Sequence, residues 1–347
     1  MKTTTIGNTG VALSSLGLGT VPLAGFGGDC TYDQAEKVVL AAYESGIRYF
    51  DAAPMYGSGL AELRLGQIVR ENRLRDSITL STKVGRLLKP KSRLNAALAE
   101  PEVAIQWKGA PPLIQEYDYS YDGVMRSFED SCQRFGLDSF EILYIHDIGR
   151  VTHDESANSR YWQQLRMGGL KALDELRRSG AAKAIGIGVN ETAAVLEMAG
   201  EFNLDCCLLA GRYSLLNHGA LTDFFPEMQK RHIAVIAAGV FNSGILGGGA
   251  TGMTRTFEYM EAPPEIIERV MRIESICRHY DVALPQAAVQ FVYAHPAVSC
   301  VLQGCKSTAE VQQNGAAIQQ PTPAAMWQEL AEAGLIPAHA PRPVFAQ

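Results

Sequence analysis

The chain has 347 residues, 47% of them hydrophobic and 20% charged, a globular balance that excludes a disordered polyelectrolyte and supplies apolar material for a sizeable core. A formal net charge of −6 gives neither nucleic acid nor an anionic membrane surface a basic face to bind, so neither partner is expected. No apolar run reaches the ~18 residues of a membrane-spanning helix, the polar start MKTTTIGNTG lacks an apolar leader core, and a cytoplasmic protein is expected.

Residues 3–14 fit a two-stranded hairpin turning at Asn8-Thr9-Gly10. The first buried-strand run, 14–20, is followed by a helix over 31–46 that starts at Thr31 as N-cap and stops at Gly46. Strand runs at 47–53 and 78–84 come next, then a long Pro-rich and basic connection over 85–120. Helix 120–136, strand 140–146, helix 161–180, strand 183–189, helix 191–203, strand 205–211, helix 218–231 and strand 234–240 alternate after it. A Gly-rich stretch over 244–264 precedes helix 286–295, strand 299–305 and closing helices at 308–318 and 324–334. Eight short runs, apolar on both faces and alternating with helices, predict a (β/α)₈ barrel formed as one domain over 1–347. The hairpin would close the bottom, and the two long connections would lie at the C-terminal face. An open doubly wound sheet is the alternative, but no G-x-G-x-x-G follows the first strand.

The seven cysteines (Cys30, Cys132, Cys206, Cys207, Cys277, Cys300 and Cys305) are odd in number and contain no C-x-x-C pair. Free thiols are expected, with no disulfide framework and no metal site.

Asp51 and Tyr56 in FDAAPMYG, Lys83 in STKVG and His146 in LYIHD fall at the ends of three successive predicted strands. A barrel brings such ends to one mouth. A free tyrosine ionises near pH ~10, and an ammonium beside it favours phenolate. A carboxylate would hold that ammonium charged, and an imidazole would hold the substrate oxygen. Polarising a carbonyl or hydroxyl carbon for hydride transfer needs this set plus a hydride-carrying cofactor. Each residue alone has an ordinary structural explanation, and the weight lies in their convergence.

These motifs resemble the tetrad of the aldo-keto reductase family, and the resemblance runs from the hairpin to about Asn314. It implies a metal-free enzyme in which Tyr56 is the general acid-base, Lys83 its partner, Asp51 the partner of Lys83, and His146 the substrate-orienting group. It also implies a nicotinamide site. Gly19, Thr20 and Asp51 would lie at its base, and Asn190 stands where the family has a Ser-Asn pair, here without the serine. Phe241, Ser243, Gly244 and Leu246 lie in a stretch resembling the pyrophosphate loop. Gly304, Lys306, Glu310, Gln313 and Asn314 resemble the adenosine-phosphate segment, where a helix N-terminus favours an anion. Glu310 occupies a position where NADP-preferring members often carry arginine, so NAD is expected as cofactor, with Lys306 as the feature that admits NADP.

Within the family, the resemblance is to the branch that oxidises aldoses of the D-threo or L-fucose type to lactones, with pyridoxal-oxidising relatives beside it. The implied substrate is a small cyclic hemiacetal or aldehyde. Met55, Trp107 and Tyr117 are the expected walls, joined by Tyr119 and Phe241, while Arg86 and Arg212 would meet a polar substrate group or form surface ion pairs. Two alternatives stand: an NADPH-linked aldehyde reductase, and a non-catalytic redox-sensing barrel subunit. The tetrad and Glu310 weigh against them.

Overall fold

The chain folds around a closed parallel barrel in a computed structural model that describes residues 1–91, 107–252 and 254–345. Strands β1 (Thr3–Thr5) and β2 (Ala12–Ser14) form the expected antiparallel hairpin. Its Ile6, Val11 and Leu13 are buried against Tyr49, Ile142 and Ile236 of the barrel interior, so the hairpin plugs that end. Thr79 Oγ1 donates to Ala12 O at 2.8 Å, which fixes the plug at the N-terminal ends of the strands.

In chain order follow β3 (Leu16–Gly19), α1 (Tyr32–Glu44), β4 (Tyr49–Asp51), α2 (Leu60–Glu71), β5 (Thr79–Val84), β6 (Arg86–Pro90), β7 (Leu113–Tyr117), α3 (Tyr121–Phe135) and β8 (Phe140–His146). Then come α4 (Glu155–Gln164), α5 (Leu170–Ser179), β9 (Ala182–Val189), α6 (Thr192–Glu201), β10 (Cys206–Ala210), α7 (Phe224–Lys230), β11 (Ala234–Ala238) and α8 (Ile245–Gly248). The rest is β12 (Thr256–Phe257), β13 (Met260–Glu261), α9 (Pro264–His279), α10 (Leu284–Tyr293), β14 (Val298–Gly304), α11 (Thr308–Ala317) and α12 (Ala324–Glu332). The barrel runs β3-β4-β5-β8-β9-β10-β11-β14 and closes on itself, so all eight expected strands are its staves. No helix of the described residues is long and apolar enough to cross a membrane.

Register sets the mouth. Gly19 pairs with Asp51, Asp51 with Ser81, Lys83 with Tyr144, and His146 with Gly188. Side chains alternate across a strand, so Asp51, Ser81, Lys83, Tyr144 and His146 share the inner face. Thr31 caps α1 as expected, and Gln34 completes a capping box that was not foreseen.

The differences have local causes. Helices α2 and α9 are not among the expected ones; α2 starts from a left-handed Gly59 and α9 from Pro263, neither with a side-chain N-cap bond. The helix expected over 161–180 is α4 and α5 joined by a π turn, Leu165–Gly169. The connection over 85–120 carries an antiparallel ribbon, β6 with β7, while residues 92–106 lie outside the described residues. The Gly-rich stretch over 244–264 holds α8 and a second ribbon, β12 with β13.

Candidate active site

Asp51 and Lys83 are 1% exposed, and His146 is 5% exposed. Lys83 Nζ donates to Asp51 Oδ2 at 2.6 Å and to Ala52 O at 2.9 Å. Ser81 Oγ donates to Asp51 Oδ1 at 2.6 Å. The Lys83 ammonium lies 4.7 Å from the centroid of the Tyr56 ring. The His146 ring stands edge-on to Tyr56 at 6.0 Å. Three strands thus bring the four residues together, with Tyr56 carried on the turn after β4. That turn continues through Gly57, Ser58 and Gly59, all at positive φ, and a side chain at Gly57 would meet Ala24 O at 2.7 Å.

Burial pushes the ion pair toward neutrality from both sides. It raises Asp51 and lowers Lys83, while their mutual attraction opposes it. Burial also lifts the Tyr56 phenol well above its usual range, and the charges of Asp51 and Asp147 lift it further. Arg86 opposes this rise. The Lys83 ammonium beside the ring is at the same time held against Asp51. Burial drops His146 to about 3, so its imidazole is neutral at ordinary pH.

Asp147 is a member of the site that the sequence reading missed. It follows His146 in a left-handed conformation, φ 52°, and its carboxylate ion-pairs with Arg86. Its Oδ2 lies 3.4 Å from His146 Nε2. Arg86 is therefore neither a surface ion pair nor a free substrate contact. It is buried, its guanidinium lies 4.5 Å over the Tyr117 ring, and it donates to Gln115 Oε1 at 2.9 Å. Gly85, at φ 104°, makes the turn from Lys83 to Arg86, and a side chain there would strike the Tyr119 ring at 2.2 Å.

Trp107 stands 6.4 Å from Tyr56 and 5.4 Å from Phe26, which makes it a wall of the pocket. Met55 is half-buried next to Tyr56. Tyr117 is half-buried between Arg86 and His153 and so supports Arg86. Tyr119 is fully buried, and its hydroxyl donates to His146 O at 2.5 Å, so it braces the site from behind and is not a wall.

Beside this pocket a cleft of about 620 Å³ is lined by Asn190, Phe241, Ser243, Gly244, Gly304, Lys306, Glu310, Gln313 and Asn314. Its volume is that of a small-molecule site. Leu246 is not on its wall: the side chain has no exposed surface and packs in the core. Nor are Gly19, Thr20 and Asp51. Gly19 is buried at the end of β3, Thr20 Oγ1 donates to Asp51 O at 2.9 Å, and both Asp51 oxygens are engaged by Lys83 and Ser81.

Arg212 forms the exposed ion pair that was one of its two expected roles, while its partner and its place in a clasp over the cleft were not foreseen. Arg212 Nε donates to Asn190 O at 2.6 Å, and Arg212 reaches Glu258 Oε1 at 2.7 Å. The Tyr259 backbone N–H donates to Ser243 Oγ at 3.0 Å, which pins the β12–β13 ribbon across the mouth. Tyr259 lines the cleft and is also among the groups acting on Tyr56, so pocket and cleft meet there. Asn242, on the cleft wall, accepts from Ser214 at 2.5 Å, while its buried Nδ2 has no partner among the described residues. An orphaned amide donor on this wall fits an acceptor-rich ligand such as a dinucleotide. Ser307 caps α11, and Glu310 Oε2 accepts from the Lys306 backbone N–H at 2.7 Å.

Residues 15–334 match the model of the aldo/keto reductase family. The pyridoxal 4-dehydrogenase of Microbacterium luteolum is 45% identical over 336 residues, 95% of this chain and 97% of the relative. The D-threo-aldose 1-dehydrogenase of a Pseudomonas species is 36% identical over 94% of this chain and 96% of its own length. An aldo-keto reductase of Bacillus halodurans solved in its holo form superposes with a TM-score of 0.70 at 22% identity, over 98% of this chain and 99% of that one. The chain belongs to the aldo/keto reductase family and is a nicotinamide-dependent oxidoreductase.

Proposed function

We propose that this enzyme oxidises a cyclic hemiacetal to a lactone, with Tyr56 as the base. The observation that supports it most is the meeting of the Asp51–Lys83 pair, Tyr56 and neutral His146 in one pocket beside the cleft. Tyr56 accepts the proton of the hemiacetal hydroxyl, the C–H bond breaks with its electron pair leaving as hydride, and the carbonyl of the lactone forms. A bound nicotinamide supplies the hydride acceptor. Burial raises the Tyr56 pKa, and the Lys83 ammonium 4.7 Å from the ring offers the phenolate a compensating charge that works against that rise. His146 holds the substrate oxygen without competing for the proton, since its own pKa is about 3.

The cofactor in this reading is NAD. Glu310 places a carboxylate at the start of α11, where it repels a 2′-phosphate and accepts from a ribose hydroxyl. Lys306 is the residue through which NADP would gain a foothold. The free cysteines, five of them buried, and the acidic net charge fit a cytoplasmic enzyme acting on a small molecule.

Two hemiacetals fit. An aldose of the D-threo or L-fucose type is the first, in line with the relative named for D-threo-aldose. Pyridoxal is the second, favoured by the higher identity, 45%, of the relative named for it. The aromatic wall of Trp107 stacks on either ring. The test is a panel of L-fucose, D-arabinose, L-galactose and pyridoxal with NAD and then NADP, following reduced cofactor. One substrate class with NAD should exceed the other in kcat/KM by about a hundredfold. No turnover of any of the four would remove the proposal.

A further inference from the structure

The ion pair of the pocket rests on a file of hydroxyls that the proposed reaction does not use. Ser81 of β5, Tyr49 of β4 and Tyr144 of β8 lie in the barrel interior with no exposed surface. Ser81 Oγ is 2.6 Å from Asp51 Oδ1, Tyr49 Oη is 2.9 Å from Ser81 Oγ, and Tyr144 Oη is 3.1 Å from Tyr49 Oη. The order of donation follows from the end of the file. An ionised carboxylate has no proton to give, so Ser81 donates to Asp51. The Ser81 proton is then committed, so Tyr49 donates to Ser81, and by the same step Tyr144 donates to Tyr49. With Asp51 ionised, every O–H therefore points toward it.

An ammonium and a carboxylate buried together have two states: the charged pair, or a neutral acid and amine after one proton crosses from Lys83 to Asp51. Burial favours the second, raising Asp51 and lowering Lys83. Aligned hydroxyls favour the first, because each presents its positive end to the carboxylate and polarises the next. The neighbouring charges divide. Glu62 and Asp147 favour the ammonium on Lys83, while Glu62 also works against ionised Asp51. Cys300 lies beside Tyr49, Cys206 beside Tyr144, and burial keeps both thiols protonated.

We infer that Ser81, Tyr49 and Tyr144 are positioning residues whose aligned hydroxyls hold the Asp51–Lys83 pair ionised, and with it the cation beside Tyr56. What that cation does in turnover rests on the proposed role of Tyr56; the lock on the pair does not.

The test is infrared difference spectroscopy on the full chain at neutral pH, comparing wild type with Tyr49→Phe and Ser81→Ala. Tyr49→Phe removes one oxygen and keeps the ring, so it decides the matter even where Ser81→Ala does not fold. A carboxylic-acid carbonyl band should appear in the variant and vanish when Asp51→Asn is added. With any substrate the enzyme oxidises, kcat should fall about tenfold with an altered pH profile, while KM stays within about twofold. Absence of the band in folded Tyr49→Phe overturns the lock. Because the band is read without turnover, failure of the hemiacetal reading would be seen separately, on the substrate panel.

Discussion

The pocket and the cleft are built in opposite ways. Three of the four pocket residues stand on barrel strands whose register fixes them, and their partners are buried: Lys83 on Asp51, Asp51 on Ser81, His146 O on Tyr119. The cleft is held by loops. Asn242, Ser243, Glu258 and Tyr259 all have positive φ, and an Arg212–Glu258 pair with 29% and 44% exposed side chains ties its cover down. A rigid constellation suits bond-breaking, which needs fixed distances, and a fastened but exposed cover suits a ligand that must enter and leave.

The sharpest way to break this division is Tyr56→Phe. Turnover should fall about 10²–10⁴-fold, with cofactor affinity by fluorescence titration within about twofold. A matching loss of cofactor affinity would show that pocket and cleft are one unit. Asp147→Asn should come next. It strips His146 and Arg86 of their shared carboxylate, and kcat/KM should drop about 10–100-fold at unchanged cofactor affinity. Full activity in this variant would remove Asp147 from the pocket's working parts.

Acid should act on the buried elements and spare the clasp. His146 is held at about 3, and His153, His218 and His295 at about 4, against an ordinary 6.5. In the unfolded chain these side chains bind protons first as pH falls. Their contribution to stability is therefore whole above pH ~6.5 and is lost as pH falls toward the folded values, by on the order of 2 kcal/mol at pH ~5 for fully buried His146 and by less for the other three, which water partly screens. Tm should decline from pH 6.5 downward, and a flat Tm to pH ~4.5 would contradict it. The smallest effect belongs to the clasp. Glu258→Ala should speed cofactor release about two- to fivefold in stopped flow and leave the chemical step unchanged.

The same contrast decides what could be read from the sequence. The eight staves were legible because each is a short apolar run that ends at or just before a Gly, Asn or Asp. Asp51, Lys83 and His146 were legible because they sit at such ends. Asp147 and Arg86 were within reach of the same rule, one and three residues past a tetrad member, but their pairing depends on the turn at Gly85 and the left-handed Asp147, which residue spacing does not show. Arg212 and Glu258 are 46 residues apart and meet only once the barrel closes. Leu246 was misplaced because α8 turns it, with Ile245, into the core while Gly244, Gly247 and Gly248 line the cleft. The hydroxyl file was invisible for another reason. Tyr49 and Tyr144 read as ordinary apolar strand residues until register sets them side by side.

The central claim is hydride loss from a hemiacetal carbon with Tyr56 taking the hydroxyl proton. It is tested most directly by supplying the best substrate of the panel deuterated at that carbon, together with NAD, and following both products by NMR. The account predicts one deuterium in each reduced nicotinamide, an equal amount of lactone as the first product, and loss of both in Tyr56→Phe. Reduced cofactor without deuterium, or an open-chain acid formed before any lactone, would contradict it.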